Sequence, residues 1–287
     1  MEQRISKIAH YKWVFYALLS AGSIALMATC VRIASFELPQ SEIVFFRNFI
    51  GLILLLPLAA RRRLPLRTSR FGLHVLRAIF GFVAMYLYFY AISRLPLADA
   101  VLLNYTSPLF ISFFAFMILG EQLSKNRKLS IFIGFVGVCC LFHPSSAIAS
   151  IAGLLGLLSG VSAGFAQISI KKLSSTEPGL LIVILFAFFG SIFSLIPMLF
   201  VFTLPDAGTW MVLIAIGCFG NLGQLSMTHA YKLAPASQVA PLGYFGLVFA
   251  GLIGFLFWNE APDHWMLIGT VFIVIAGTLV AREHVEP

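Results

Sequence analysis

The sequence predicts an all-α polytopic membrane protein, with ten transmembrane helices arranged as two inverted five-helix repeats and both termini cytoplasmic. Three observations carry this. Hydrophobic residues make up 60% of the 287 positions and charged residues only 10%, against roughly 25% charged in an ordinary soluble domain. The chain divides into ten apolar runs, most near the ~20 residues that cross a ~30 Å hydrocarbon core as a helix. Residues of one half recur in the other at a constant offset of 139 positions.

The runs fall at about 13–33, 40–60, 71–92, 97–119, 128–142, 148–170, 178–202, 208–231, 236–258 and 263–281. They lack the two-residue alternation of barrel strands, which leaves helices. The first run follows Arg4, Lys7 and Lys12 but is too long for a signal peptide and has no small-residue cleavage site, so it is expected to remain as a helix. The cysteines at 30, 139, 140 and 218 have neither metal nor disulfide spacing and read as buried, inert thiols. No metal or cofactor is expected.

The net charge of +8 is resolved by where the charges fall. With a cytoplasmic N-terminus, fifteen of the 19 Lys and Arg residues lie on the inner side, including the run Arg61, Arg62, Arg63, Arg67 and Arg70, then Lys125, Arg127, Lys128, Lys171, Lys172, Lys232 and Arg282. Arg32 and Arg94 are left at outer ends, and Arg47 and Arg77 within spans. That distribution obeys the positive-inside rule and is explained by topology rather than by nucleic-acid binding.

The repeat is densest where Ala91, Pro96, Tyr105 and Glu121 return as Ala230, Pro235, Tyr244 and Glu260. It extends to Ala17, Ala21 and Ala25 against Gly156, Gly160 and Gly164, to Ser20 against Ser159, and to Arg32 against Lys171. Gly51 matches Gly190, and Gly81 matches Gly220. The chain therefore divides into residues 1–143 and 144–287. Because each half has five spans, the second enters the membrane from the opposite side, the plan of secondary transporters that rock one half against the other. Small residues every four positions let helices approach closely, as a static contact or as a sliding seam.

On these residues the chain resembles the EamA type of the drug/metabolite transporter superfamily. The resemblance rests on Phe45-Phe46-Arg47-Asn48, His74-Val75-Leu76-Arg77, the Ala91 to Glu121 stretch, and Ala240-Pro241-Leu242-Gly243-Tyr244 with Glu260-Ala261-Pro262-Asp263. It implies ten spans in two inverted repeats and a multi-pass carrier of the bacterial inner membrane. Members of the type export amino acids and related metabolites; a subset resembling the last two groups takes up S-adenosylmethionine or riboflavin.

Candidate site residues follow from burying polar groups in hydrocarbon. Arg47 and Arg77 are the embedded charges, with Phe186 and Ile216 at the matching positions of the other half. Each is read either as meeting a substrate carboxylate or phosphate, which suits the guanidinium fork, or as a structural arginine satisfied by helix ends or Glu42. Asn221, Gln224 and Thr228 share one helix face, and with Gln167, Asn104, Tyr105, Ser107 and Tyr244 they are expected at central depth, as cavity lining or as interhelical hydrogen bonds. Tyr86 and Tyr90 offer an aromatic wall or ordinary packing. Glu121 and Glu260 end helices and are read as gate or helix-end salt bridges, with Lys125 and Lys128 in reach of Glu121; Asp263 is read as a helix N-cap. Pro57, Pro108 and Pro197 are read as bending points. An intramembrane enzyme needs a positioned acid, base or nucleophile, and no Asp, Glu or His lies mid-span. The expected partners are a small-molecule substrate and the lipid bilayer, with a homodimer left open and no nucleic acid.

Overall fold

The computed structural model describes residues 2–65, 67–95, 97–142, 150–258 and 264–282. Its helices are α1 (Glu2–Ala34), α2 (Gln40–Arg61), α3 (Phe71–Arg94), α4 (Leu97–Asn104), α5 (Ser107–Leu119), α6 (Lys125–Phe142), α7 (Ile151–Ser174), α8 (Gly179–Leu199), α9 (Ala207–Leu233), α10 (Ala236–Val239), α11 (Phe245–Trp258) and α12 (His264–Ala281), with a 3₁₀ turn at Ala240–Tyr244. Among the described residues nine segments are long and apolar enough to cross a membrane, counting α4–α5 as one and α10–α11 as one. The tenth is α6, whose first turn carries Lys125, Arg127 and Lys128. The bundle's outer face exposes Phe113, Phe116, Met117, Phe132, Phe257 and Val271 among many others, a surface that only hydrocarbon matches. Cys218 is exposed on that face rather than buried.

The two repeats interlock. The dominant contacts are α1 on α9, α3 on α7, α2 on α8 and α6 on α12, and each joins one repeat to the other. Lipid tails are as apolar as leucine, so this association rests on close packing and hydrogen bonds. The small-residue faces supply both. A Cβ added at Gly156, Gly160 or Gly164 would meet Leu103, Thr106 or Phe110 at under 3 Å, so this face of α7 seats the junction of α4 and α5. On α1, Ala17, Ala21 and Ala25 are buried, and α1 packs against α9, α11 and the 3₁₀ turn. Ser20 Oγ donates to Gly223 O at 2.8 Å.

Two spans that read as continuous are broken. The fourth stops at Asn104 and restarts at Ser107, so Pro108 stands in the first turn of a new helix, where its missing N–H costs nothing, and is not a bend within one. The ninth is interrupted by the 3₁₀ turn. Both breaks lie at repeat-equivalent places, and each broken segment is entered in the same way. Leu95 and Ala234 are extended residues (ψ 160 and 158) whose N–H groups return to Ala91 O and Ala230 O.

One end of the molecule gathers the basic loops. There Thr68 and His74 meet Glu177, Arg70 Nη1 donates to Lys172 O at 3.2 Å, and Glu121 meets α10. At the opposite end Thr203 N–H donates to Glu42 at 2.9 Å and the Thr209 hydroxyl to Glu37. These are called the basic end and the opposite end below.

Candidate transport site

A cavity of about 650 Å³ is enclosed by α1, α2, α3, α7, α8 and α9. Arg32, Ser35 and Gln40, all exposed at the opposite end, line its mouth, and Arg47, Arg77, Gln167, Ile170 and Gln224 line it deeper. Gln167 also borders a second hollow of about 130 Å³ lined by Tyr105, Ser107 and Pro108 at one helix break and by Ala240, Gly243 and Gly246 at the other. The two breaks thus face each other across the centre of the bundle, below the large cavity.

The two embedded arginines share one aromatic ring. The Arg77 guanidinium lies 3.7 Å from the Phe186 ring centroid and that of Arg47 lies 5.8 Å from it. Phe186 is the residue 139 positions after Arg47, so the inverted copy of one arginine's position supplies the ring against which both stack. Arg77 is 2% exposed. Its Nη2 donates to Gln224 Oε1 at 2.7 Å, while its Nε and Nη1 have no protein acceptor. Arg47 donates from Nη1 to Asn48 Oδ1 at 3.2 Å and from Nε to Met27 Sδ at 3.3 Å. Among the described residues neither has a carboxylate partner; Glu42 is engaged with Thr203 instead.

The remaining candidates separate. Gln167 faces the cavities with its Oε1 unpaired. Asn221 borders a small hollow with Arg47 and Phe186, and its Nδ2 donates to Gly51 O at 2.8 Å. Asn104 Nδ2 donates to Ser159 Oγ at 3.1 Å and ties α4 to α7. Tyr86 packs on Phe82, and Tyr90 is 43% exposed with Arg94 over its ring; neither lines the large cavity, whereas Phe82 and Tyr88 do. Tyr244 is fully buried and packs with Leu102, Val138 and Ile273 in the seam of α6 and α12, its hydroxyl unpaired. Phe186, Tyr88 and Phe82 were not singled out from the sequence; the repeat position of Phe186 was the available signal.

The basic end is closed beneath these cavities. Glu121 accepts from Ala236 N–H at 2.7 Å, Ser237 N–H at 3.0 Å and the Ser237 hydroxyl at 2.7 Å. Its partners are thus the first N–H groups of α10 rather than Lys125 and Lys128, because Gly120 adopts φ 69 and turns the chain back under α5. Lys171 Nζ donates to Tyr231 O and Ala234 O, each at 2.7 Å, which satisfies the last carbonyls of α9. His74 Nε2 and Glu177 lie 2.8 Å apart, both buried, and bridge α3 of one half to the α7–α8 turn of the other. Glu260 and Asp263 lie outside the described residues.

A polytopic bundle of two interlocked repeats around a cavity lined mostly by apolar side chains, with Arg47, Arg77, Gln167 and Gln224 set into it, is the architecture of a membrane transporter. The chain belongs to the EamA-like transporter family, which it matches over residues 11–143 and again over 150–282. It is 33% identical to the pseudopaline exporter CntI of Pseudomonas aeruginosa over 94% of this chain and 95% of that protein. It is 30% identical to a riboflavin transporter of Brucella anthropi, over 86% and 89%, and 27% identical to an S-adenosylmethionine uptake transporter of Rickettsia bellii, over 92% and 90%. A solved crystal structure shares the fold at a TM-score of 0.79 and 18% identity, covering 95% of this chain and 96% of that one.

Proposed function

We propose that this protein is a bacterial inner-membrane secondary carrier that exports a small organic metabolite bearing a carboxylate, an amino acid or related compound, by alternating access. The observation that carries the reading is the pair of embedded arginines on Phe186, which have no acidic partner among the described residues, one of them with two unused donors. Leaving buried donors unpaired costs about 1–3 kcal/mol, more for a charged group, and a substrate carboxylate would remove that cost through a bidentate contact. A cavity of 650 Å³ falls within the ~300–1,000 Å³ of small-molecule sites. Export is favoured by the name of the relative at 33% identity. The basic end is taken as cytoplasmic, with both termini, because basic loops stay inside.

Uptake of a flat compound such as riboflavin or S-adenosylmethionine is the second reading, favoured by the Phe82, Tyr88 and Phe186 faces in the cavity. Counterflow in proteoliposomes decides between them. Labelled carboxylate metabolites should exchange and be competed by their unlabelled forms, while their neutral amides should not compete. Exchange of the flat cofactors alone would favour the second reading, and flux with neither set would exclude the carrier reading for both.

A further inference from the structure

The positive charge at the centre of the bundle exceeds what the described protein balances. Arg47 and Arg77 both line the large cavity, and no described residue lining it is acidic. The acidic side chains that the structure describes are spent elsewhere. At the opposite end Glu37 accepts from the Thr209 hydroxyl and Glu42 from Thr203 N–H, and Asp206 caps α9 by accepting from Thr209 N–H. At the basic end Glu121 is held by the first N–H groups of α10, and Glu177 by Thr68 and His74. No change of rotamer in the described cavity wall therefore brings a counter-charge to the arginines.

The two charges are also close together. Guanidinium carbons at 3.7 and 5.8 Å from one ring centroid can be no further apart than those two distances together. The groups around them are neutral: Arg47 donates to the Asn48 amide oxygen and the Met27 thioether, and Arg77 to the Gln224 amide oxygen. The Phe186 ring attracts both guanidiniums through its face but carries no net charge. A carrier that opens to each side in turn passes through a state in which its loaded site is sealed from both. Charge left unpaired at that moment is held away from water, where it is strongly disfavoured. A neutral occupant would seal in two positive charges and a monocarboxylate one; a dicarboxylate leaves none.

We infer that the substrate carries two carboxylates, one met by Arg47 and the other by Arg77, with the rest of its body against Phe82, Met85 and Tyr88 on the α3 wall of the cavity. Arg47 is half-buried, whereas Arg77 lies directly under the Phe186 ring, so the second contact is made as that ring tilts off Arg77. Two arginines sharing one ring match acid groups separated by a few bonds, each taken by its own guanidinium fork. This rests on the carboxylate reading above and narrows it from one acid group to two.

The test is titration calorimetry on the purified full chain with succinate and glutarate, their mono-amides and their diamides. Each diacid should bind about 10–100-fold more tightly than its mono-amide, the weight of one further charge-assisted contact, and the diamides should give no heat of binding. In Arg47→Gln, and again in Arg77→Gln, diacid and mono-amide should bind within about twofold of each other, because only one guanidinium remains. Arg47→Lys keeps the charge and should keep a preference for the diacid, which separates loss of charge from loss of fold. The inference is overturned if the wild-type protein binds mono-amide and diacid equally, a result that leaves the reading of a single carboxylate standing. It is overturned as well if sulfate, one dianionic group, binds as tightly as the diacids. Binding of none of these acids would remove the one-carboxylate and two-carboxylate readings together.

Discussion

At the scale of single residues, the polar groups of the bundle divide by whether a partner within the protein satisfies them. Asn104, Asn221 and Ser20 each spend a donor on a neighbouring helix and act as interhelical ties worth about 0.6 kcal/mol apiece. Arg77 and Gln167 keep unpaired atoms at the cavity. Arg77→Gln should therefore weaken binding of a carboxylate substrate by about 10–100-fold, from losing a charge-assisted contact of ~1.5–3 kcal/mol. Arg77→Lys should recover only part of this, since an ammonium keeps the charge but loses the fork. Titration calorimetry on purified protein measures both, and equal affinities in all three proteins would remove Arg77 from the site. Tyr244 is the contrasting case. Its hydroxyl is buried without a partner, so Tyr244→Phe should change thermal stability by no more than about 1 kcal/mol in either direction and leave flux intact.

At the scale of elements, the breaks in the fourth and ninth spans depend on the small faces beneath them. A Cβ at Gly160 would sit 2.4 Å from Thr106 Oγ1 and 2.8 Å from Leu103 O, and a backbone carbonyl cannot rotate aside. Gly160→Ala should cost about 1–3 kcal/mol as an overpacking change. Gly72, in the first turn of α3 with open space around it, should tolerate alanine or gain up to about 1 kcal/mol from helix propensity. Denaturation in detergent followed by circular dichroism compares the two, and equal losses would contradict the packing account. The helices themselves were legible because a stretch of apolar residues of bilayer length has only one way to satisfy its backbone. The breaks were not, because Tyr105 to Pro108 and Ala240 to Tyr244 are short interruptions inside segments whose length and mean hydropathy, 1.7 and 2.0, still read as single spans; where the helix stops is decided by what packs against them.

At the scale of the whole molecule, the charge distribution and the cavity make one joint prediction. If the basic end is cytoplasmic, Val31→Cys in intact cells should react with an impermeant thiol reagent from outside and be protected by transported substrate, while reporter fusions at the C-terminus should report the cytoplasm. No reaction from outside, together with C-terminal fusions reporting the outside, would invert the assigned orientation. The sequence by itself determined the ten apolar spans, the duplication, the inverted relation implied by five spans per half and the presence of two charges in hydrocarbon. These follow from composition, bilayer thickness and an odd number of spans, and need no knowledge of contacts. Only the tertiary structure decided that Phe186 takes both arginines, that Tyr244 leaves the centre for the α6–α12 seam, and that Glu121 and Lys171 tie the basic end together. These placements are set by packing between the halves, which no single span encodes, since the small-residue faces of α1 and α7 are buried on the other repeat rather than on their own.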